Sequence, residues 1–377
     1  MFTPTDSKTG EPIPITGFYR VLIISGSWPL KPNTHWILKF FYYLLTLCSA
    51  VTAKFFRYCN FLYRRYDFCI LLNNFYNDIF IKPYEKGYSY TKMMIRPVEF
   101  MYVSYILAYI WFAGQPIVTY YILGYESEPL PRRILGILNI EGTLLRFVLY
   151  SIVIWVTMST ATYMGIESYI TGLCLIHLIA RFKNLNEEII NTFNDINSGG
   201  KIPIENGVQF LNDRLTKLFK QQQKLKIFGG MLNDNFSFRY FCIVLSSALI
   251  LCLVVFIMAE GTRNIVTLMF VFWACGAISE QIAVGYIGSE LIYLTENMST
   301  TFYSCNWETI LLNSNISNKA KKSLLLHIYT IMIASTKPIK ITGLNFFDLS
   351  IVTAFNLTAK VNYIMVKLHI VQAVEEA

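Results

Sequence analysis

Apolar runs long enough to cross a bilayer alternate with polar stretches along almost the whole chain. A membrane-spanning helix needs roughly 20 mainly apolar residues. The pattern offers seven, at residues 36–56, 68–81, 100–123, 144–179, 236–259, 265–288 and 346–367. The expected fold class is therefore an all-α membrane protein with seven transmembrane helices. The second run is short and carries Asn73, Asn74, Asn77 and Asp78, so taken alone it also fits an amphipathic surface helix, which would leave six. Between the spans, Ile179, Phe182, Leu185, Ile189, Ile190 and Phe193 recur at helical spacing, as do Phe210, Leu211, Leu215, Leu218, Leu225 and Phe228. Asn197, Ser198, Gly199 and Gly200 separate the two. A third polar-segment helix is expected from Lys319 to Ala334, stopped by Lys337, Pro338 and later Gly343. These amphipathic stripes need covering, either by the rest of their own chain or by another subunit.

Composition supports the membrane reading, because 54% of the 377 residues are hydrophobic and only 15% charged. Mean hydropathy is +0.43, leaving too little polar surface to cover a soluble globule. Lys and Arg in the connections set the orientation. Counted over the N-terminal arm and the even-numbered loops, 21 basic residues fall on one side, against 9 on the other. The N-terminus is thus expected in the cytoplasm and the C-terminus outside, with Lys54, Arg57, Arg64 and Arg65 in the first outer loop opposing the trend. One domain is expected over 1–377: a cytoplasmic arm (1–35), spans one to four (36–179), a cytoplasmic helical loop (180–235), spans five and six (236–288), a cytoplasmic anchor (289–345) and the last span with a short outer tail (346–377). No apolar core of a cleaved leader precedes Trp36. The formal charge of +8 follows from cytoplasmic loops beside anionic lipid and calls for no nucleic acid.

Candidate chemistry is sparse. The eight cysteines form no close metal or redox pair, although Cys59 and Cys69 could meet in an outer loop. Four histidines make no ligand cluster, and no metal or other cofactor is implied. Sequons at Asn235, Asn297, Asn315 and Asn356 fall at embedded or cytoplasmic positions, where no glycan is expected. Phosphate-binding loops, paired metalloprotease histidines and nucleophile elbows are missing, so an enzyme is not expected.

The last span carries a pattern. Thr353, Asn356, Lys360, Tyr363 and Lys367 follow at spacings of three and four, along one helical face. A charged side chain in lipid costs roughly 2.5–3.5 kcal/mol on insertion scales, so this face should look into protein or water. Leu357, Val361, Ile364 and Leu368 form an adjacent apolar stripe. A polar lumen beside an apolar constriction is a workable gate, because an apolar ring closes a pore by dewetting. A polar seam buried against other helices fits the same spacing, and Lys367 fits a snorkelling end.

Pro338, Ile341, Gly343, Phe346, Leu349, Ser350, Thr353, Lys360 and Tyr363 resemble the C-terminal signature of insect odorant receptors. Trp28, Pro29, Glu167, the length and the inverted orientation extend the resemblance over the chain. It implies an odorant-gated, non-selective cation channel: a heterotetramer in which tuning subunits join a shared co-receptor at the plasma membrane of olfactory neurons. Its partners would be a small volatile, the co-receptor, permeant cations and membrane lipid. The fourth loop, Arg181 to Arg239, is shorter than a co-receptor's, as in a tuning subunit. By depth and face, the implied odorant pocket takes Phe68, Leu72 and Phe75, then Trp111, Phe112, Gln115 and Thr119, then Phe147, Tyr150, Ser151 and Ile154, then Met269, Phe270 and Trp273. Each aromatic also fits ordinary helix packing or an interfacial belt. The implied pore and gate take Asn356, Lys360, Tyr363, Ile364 and Leu368, with Lys360 awkward in a cation path. A metabotropic seven-helix receptor would lack the inverted orientation, and a secondary transporter would show related halves.

Overall fold

The computed structural model describes residues 66–100, 102–104, 107, 143–197, 204–259, 265–312, 317–353, 355–356 and 359. Within these, 143–164, 196–197, 204–208, 246, 249–259, 265–274, 277 and 310 are described by backbone alone. Helix α1 covers 66–74 and widens into a π-helical turn, Phe75–Ile79. Helix α2 follows at 88–100, then α3, Thr143–Asn197, α4, Ile204–Ala259, and α5, Ile265–Tyr303. Two shorter helices come next, α6 at Trp307–Leu312 and α7 at Asn318–Ser335. A small antiparallel ladder pairs β1, Thr342–Gly343, with β2, Phe347–Asp348, and the chain turns helical again at 351–353.

The apolar stripes of the polar segments prove to belong to the same helices as the spans beside them. The fourth span and the Ile179–Phe193 stripe are one helix of 55 residues, and the Phe210–Phe228 stripe and the fifth span are one of 56. At 1.5 Å per residue each is about 80 Å long, far beyond a hydrocarbon core of about 30 Å. A large part of each therefore stands outside the bilayer. No proline interrupts either helix, and the intrinsic cost of Gly229 and Gly230, about 1 kcal/mol each, is too small to end a packed one.

The chain divides into two compact units, residues 1–77 with 94–173 and residues 78–93 with 174–377. In the first, α2 lies on the near half of α3: Val98 sits where a Cβ on Gly172 would come within 3.0 Å, and Tyr102 likewise within 3.2 Å of Gly165. Glycines two turns apart let the two backbones approach. The opposite face of this segment carries exposed Phe100, Val103 and Leu107, a stripe that suits lipid rather than water. Cys69 is buried, and Cys59, which could meet it, lies outside the described residues.

In the second unit α4, α5 and α7 pack together, with β1 against α4. Phe182, Leu185, Ile189, Phe193, Leu211, Leu215, Leu218, Leu225 and Phe228 are buried in it, so both stripes are covered within the chain. Ile190 and Phe210 are exceptions, at 42% and 38% exposed. Gln222 of α4, itself buried, donates to Met298 Sδ of α5 at 2.9 Å and to Ser335 Oγ of α7 at 2.8 Å, a polar knot joining three helices. Lys226 Nζ donates to Ala334 O and Lys337 O and so caps the C-terminal end of α7.

Candidate functional site

Phe68, Leu72 and Phe75 lie one helical turn apart and are 3%, 2% and 0% exposed, so this edge of the implied pocket faces protein and not lipid. The Phe75 ring meets Tyr76 edge-on at 5.0 Å. Phe147, Tyr150, Ser151 and Ile154 share one face of α3 by their spacing, and Met269, Phe270 and Trp273 fall in the early turns of α5; there the description is of the backbone alone. Trp111, Phe112, Gln115 and Thr119 lie outside the described residues. So do Lys360, Tyr363, Ile364 and Leu368, while Asn356 is helical and exposed.

The best-defined site is the foot of the last span. Phe346 N–H donates to Gly343 O at 2.9 Å across a turn whose central residues, Leu344 and Asn345, have φ of 49° and 62°. Two successive left-handed residues are what a tight hairpin of this hand requires. Backbone N–H groups of the hairpin are taken up by α4: Thr342 by Asn233 Oδ1 at 2.7 Å, and Leu344 by Ser237 Oγ at 2.7 Å. Ile339 N–H goes to Thr295 Oγ1 of α5 at 3.1 Å, and Lys340 pairs with Asp348 at 2.5 Å. The hydrogen bond that Lys340 donates to the Asp348 carboxylate raises the Lys340 pKa.

After β2 the chain rests directly on α5. A Cβ on Gly288 would stand 2.2 Å from Leu349 O, and one on Gly285 3.0 Å from Ser350 O. Ser289 Oγ accepts the Ile351 N–H at 2.9 Å, and Ser350 Oγ accepts the Thr353 N–H at 3.1 Å in the manner of a helix N-cap. The first turn of the last helix is thus fixed by backbone contact and two hydroxyls.

A second cluster holds the end of the π turn. Arg181 donates from Nε to Ile79 O at 2.9 Å and from its NH2 group to Phe80 O at 2.7 Å, and pairs with Glu85 at 2.8 Å. His177 Nδ1 accepts the Ile81 N–H at 3.1 Å. Lys183 pairs with Glu290 at 2.8 Å and stands 4.1 Å over the Tyr90 ring. Burial lowers the Lys183 pKa, but the hydrogen bonds to Glu290 and Tyr90 outweigh it and leave the pKa raised; burial raises that of Tyr90.

The sequence reading missed Asn233, Ser237, Gly285, Gly288, Ser289, Arg181 and His177. Gly285 and Gly288, four and one residues before Ser289, and the Gly-Leu-Asn of the turn were visible, but which backbone they approach is a tertiary fact.

A family model described as 7tm Odorant receptor matches residues 38–362 of this chain. The chain is similar to Odorant receptor 74a of Drosophila melanogaster, 23% identical over 295 residues that cover 77% of this chain and 70% of that protein. It is also similar to Odorant receptor 13a of the same species, 20% identical over 290 residues, with 74% and 68% covered. Among solved structures, the insect olfactory receptor OR5 from Machilis hrabei in complex with eugenol superposes with a TM-score of 0.65 at 15% identity, covering 94% of this chain and 96% of that one. A second structure of that receptor superposes at 0.59. At such identity the likeness is one of fold: seven transmembrane helices, all α.

Proposed function

The chain belongs to the 7tm odorant receptor family, and on that premise we propose that it is an odorant-binding tuning subunit of a heteromeric, odorant-gated, non-selective cation channel. The observation that carries the reading is the family match across residues 38–362, which takes in five of the seven expected spans whole and most of the first and the last. Members of the family are receptors and channels rather than enzymes, and the tuning role rests on the short fourth loop.

In this reading a small volatile binds in the outer half of the helix bundle, against Phe68, Leu72 and Phe75 and the faces that carry Trp111, Tyr150 and Trp273. Dispersion supplies most of the grip, and Gln115 and Ser151 give one or two orienting hydrogen bonds. The volatile opens the pore only to the extent that it binds the open arrangement of the helices better than the closed one. The polar face of Asn356, Lys360 and Tyr363 lines the path, and Ile364 and Leu368 form the constriction. Lys360 is tolerated because a heteromer holds few copies of this chain, and the co-receptor lines the rest.

The N-terminus is cytoplasmic in this reading, and the helical loop 180–235 together with the segment 289–345, which holds the first strand of the hydroxyl-held hairpin, forms the cytoplasmic anchor. The chain should give odorant-evoked current when co-expressed with an insect co-receptor in cells without G-protein signalling, and none alone. Strong current from the chain alone would remove the tuning-subunit reading.

A further inference from the structure

At the foot of the last span, α4, α5 and the segment Phe347–Thr353 enclose a cleft of about 20 Å³. Its walls are mostly apolar: Ile243 and Val244 from α4, Val284 from α5, and Leu349. Gln281 lines it too, is 5% exposed, and its Nε2 meets no acceptor among the described residues. A buried amide donor left without an acceptor carries the full cost of its desolvation. Where such a donor borders an otherwise apolar cavity, the fitting occupant brings one acceptor and little other polarity.

We propose that this cleft is a second small-molecule site, which takes an uncharged molecule with one hydrogen-bond acceptor and a short apolar tail, the chemistry of a short-chain alcohol. The space admits a hydroxyl, since about 10–15 Å³ by this measure holds one water. The tail then lies along Val244, Val284 and Leu349 toward the open side of the cleft. The alcohol oxygen accepts from Gln281 Nε2, and its own proton goes to Ser350, a residue of the same lining whose Oγ, accepting the Thr353 N–H and donating to Thr353 Oγ1, keeps one lone pair. Carboxylates and amines are excluded, because Asp348, the charged residue of the lining, is already paired with Lys340 and an ion buried here would go uncompensated.

The functional consequence rests on the channel reading above. One wall of the cleft is the first turn of the last helix, so an occupant that prefers one position of that turn shifts the gating equilibrium without touching the odorant pocket. The effect is therefore non-competitive and persists at saturating odorant.

Photolabelling tests the site without reference to current. The full-length chain, purified with its co-receptor, is labelled with a diazirine analogue of butanol and mapped by mass spectrometry. Adducts are expected on the peptides that hold Gln281 to Gly285 and Phe347 to Thr353, suppressed by excess 1-butanol. Gln281→Leu, which keeps the volume and removes the donor, should weaken labelling about fivefold, the loss of one neutral hydrogen bond. Val284→Phe, which fills the cleft, should abolish it and serves if the first variant does not fold. Labelling unchanged in both variants, or confined to other peptides, overturns the site. In cells, 1-butanol should change the maximal odorant current of the wild type and not of Gln281→Leu. An alcohol effect equal in wild type and variant sinks the proposal. Specific labelling in a chain that gives no odorant current would keep the site and count against the channel reading instead.

Discussion

Among the described glycines Gly288 has the least latitude, because the atom that a side chain would strike, Leu349 O, belongs to the backbone and cannot rotate away. Gly288→Ala should force α5 and the 347–350 segment apart, costing at least the 1–3 kcal/mol typical of overpacking. Odorant-evoked current should fall sharply at unchanged surface expression. Gly230 gives the control: nothing lies within 4 Å of its would-be Cβ, so Gly230→Ala should raise the thermal midpoint by removing a helix-propensity cost of about 1 kcal/mol. Both glycines read alike in the sequence, and only the neighbour's backbone separates them. His327, with Nδ1 3.4 Å from Asn212 Oδ1, gives a pH prediction. Burial lowers its pKa from the ordinary 6.5. Above that pH both folded and unfolded chains hold it neutral; as pH falls through 6.5 the unfolded chain takes the proton first, and stability declines. The thermal midpoint of the detergent-solubilised protein should therefore drop between pH 7 and 5.5, with a shallower slope in His327→Asn.

Among the elements, α7 was the most legible. A helix expected from Lys319 to Ala334 is found at Asn318–Ser335, with Leu324, Ile328 and Ile331 buried along one face. Its start is set by Ser317, whose Oγ accepts the Ala320 N–H at 3.3 Å. Ser317→Ala should lower stability by about 1 kcal/mol, the usual worth of an N-cap, read as a fall in thermal midpoint without change in odorant potency. The stripes of α3 and α4 were legible as helical, but their continuity with the spans was not. Hydropathy falls where a helix leaves the membrane, and that fall looks like an end although no breaker residue marks one. The β1–β2 hairpin was invisible for another reason. Two-residue strands carry no alternation to detect, and Leu344 is a poor signal for a turn that places it at positive φ.

For the whole molecule, the seven apolar runs and the signature near the C-terminus were enough to reach the family, because span length and a buried polar face are set by the bilayer and need no tertiary detail. Pocket membership is different in kind. It depends on which faces of helices far apart in sequence meet, and periodicity fixes a face without fixing its neighbour. The proposed division of labour is nevertheless testable by double dissociation. If the volatile binds near Trp111 and Tyr150, alanine at either removes dispersion contact in the bound state, and the odorant concentration for half-maximal current should rise about tenfold, the equivalent of about 1.4 kcal/mol, with ion selectivity unchanged. If Ile364 and Leu368 close the pore by dewetting, alanine at either widens and wets the constriction, so basal current should rise while odorant rank order is kept. Crossed results, potency moved by Ile364→Ala with basal current fixed, would place the last span among the pocket walls and require another constriction. Unchanged basal current, rectification and ion block in both Ile364→Ala and Leu368→Ala would remove the gate from this helix face altogether.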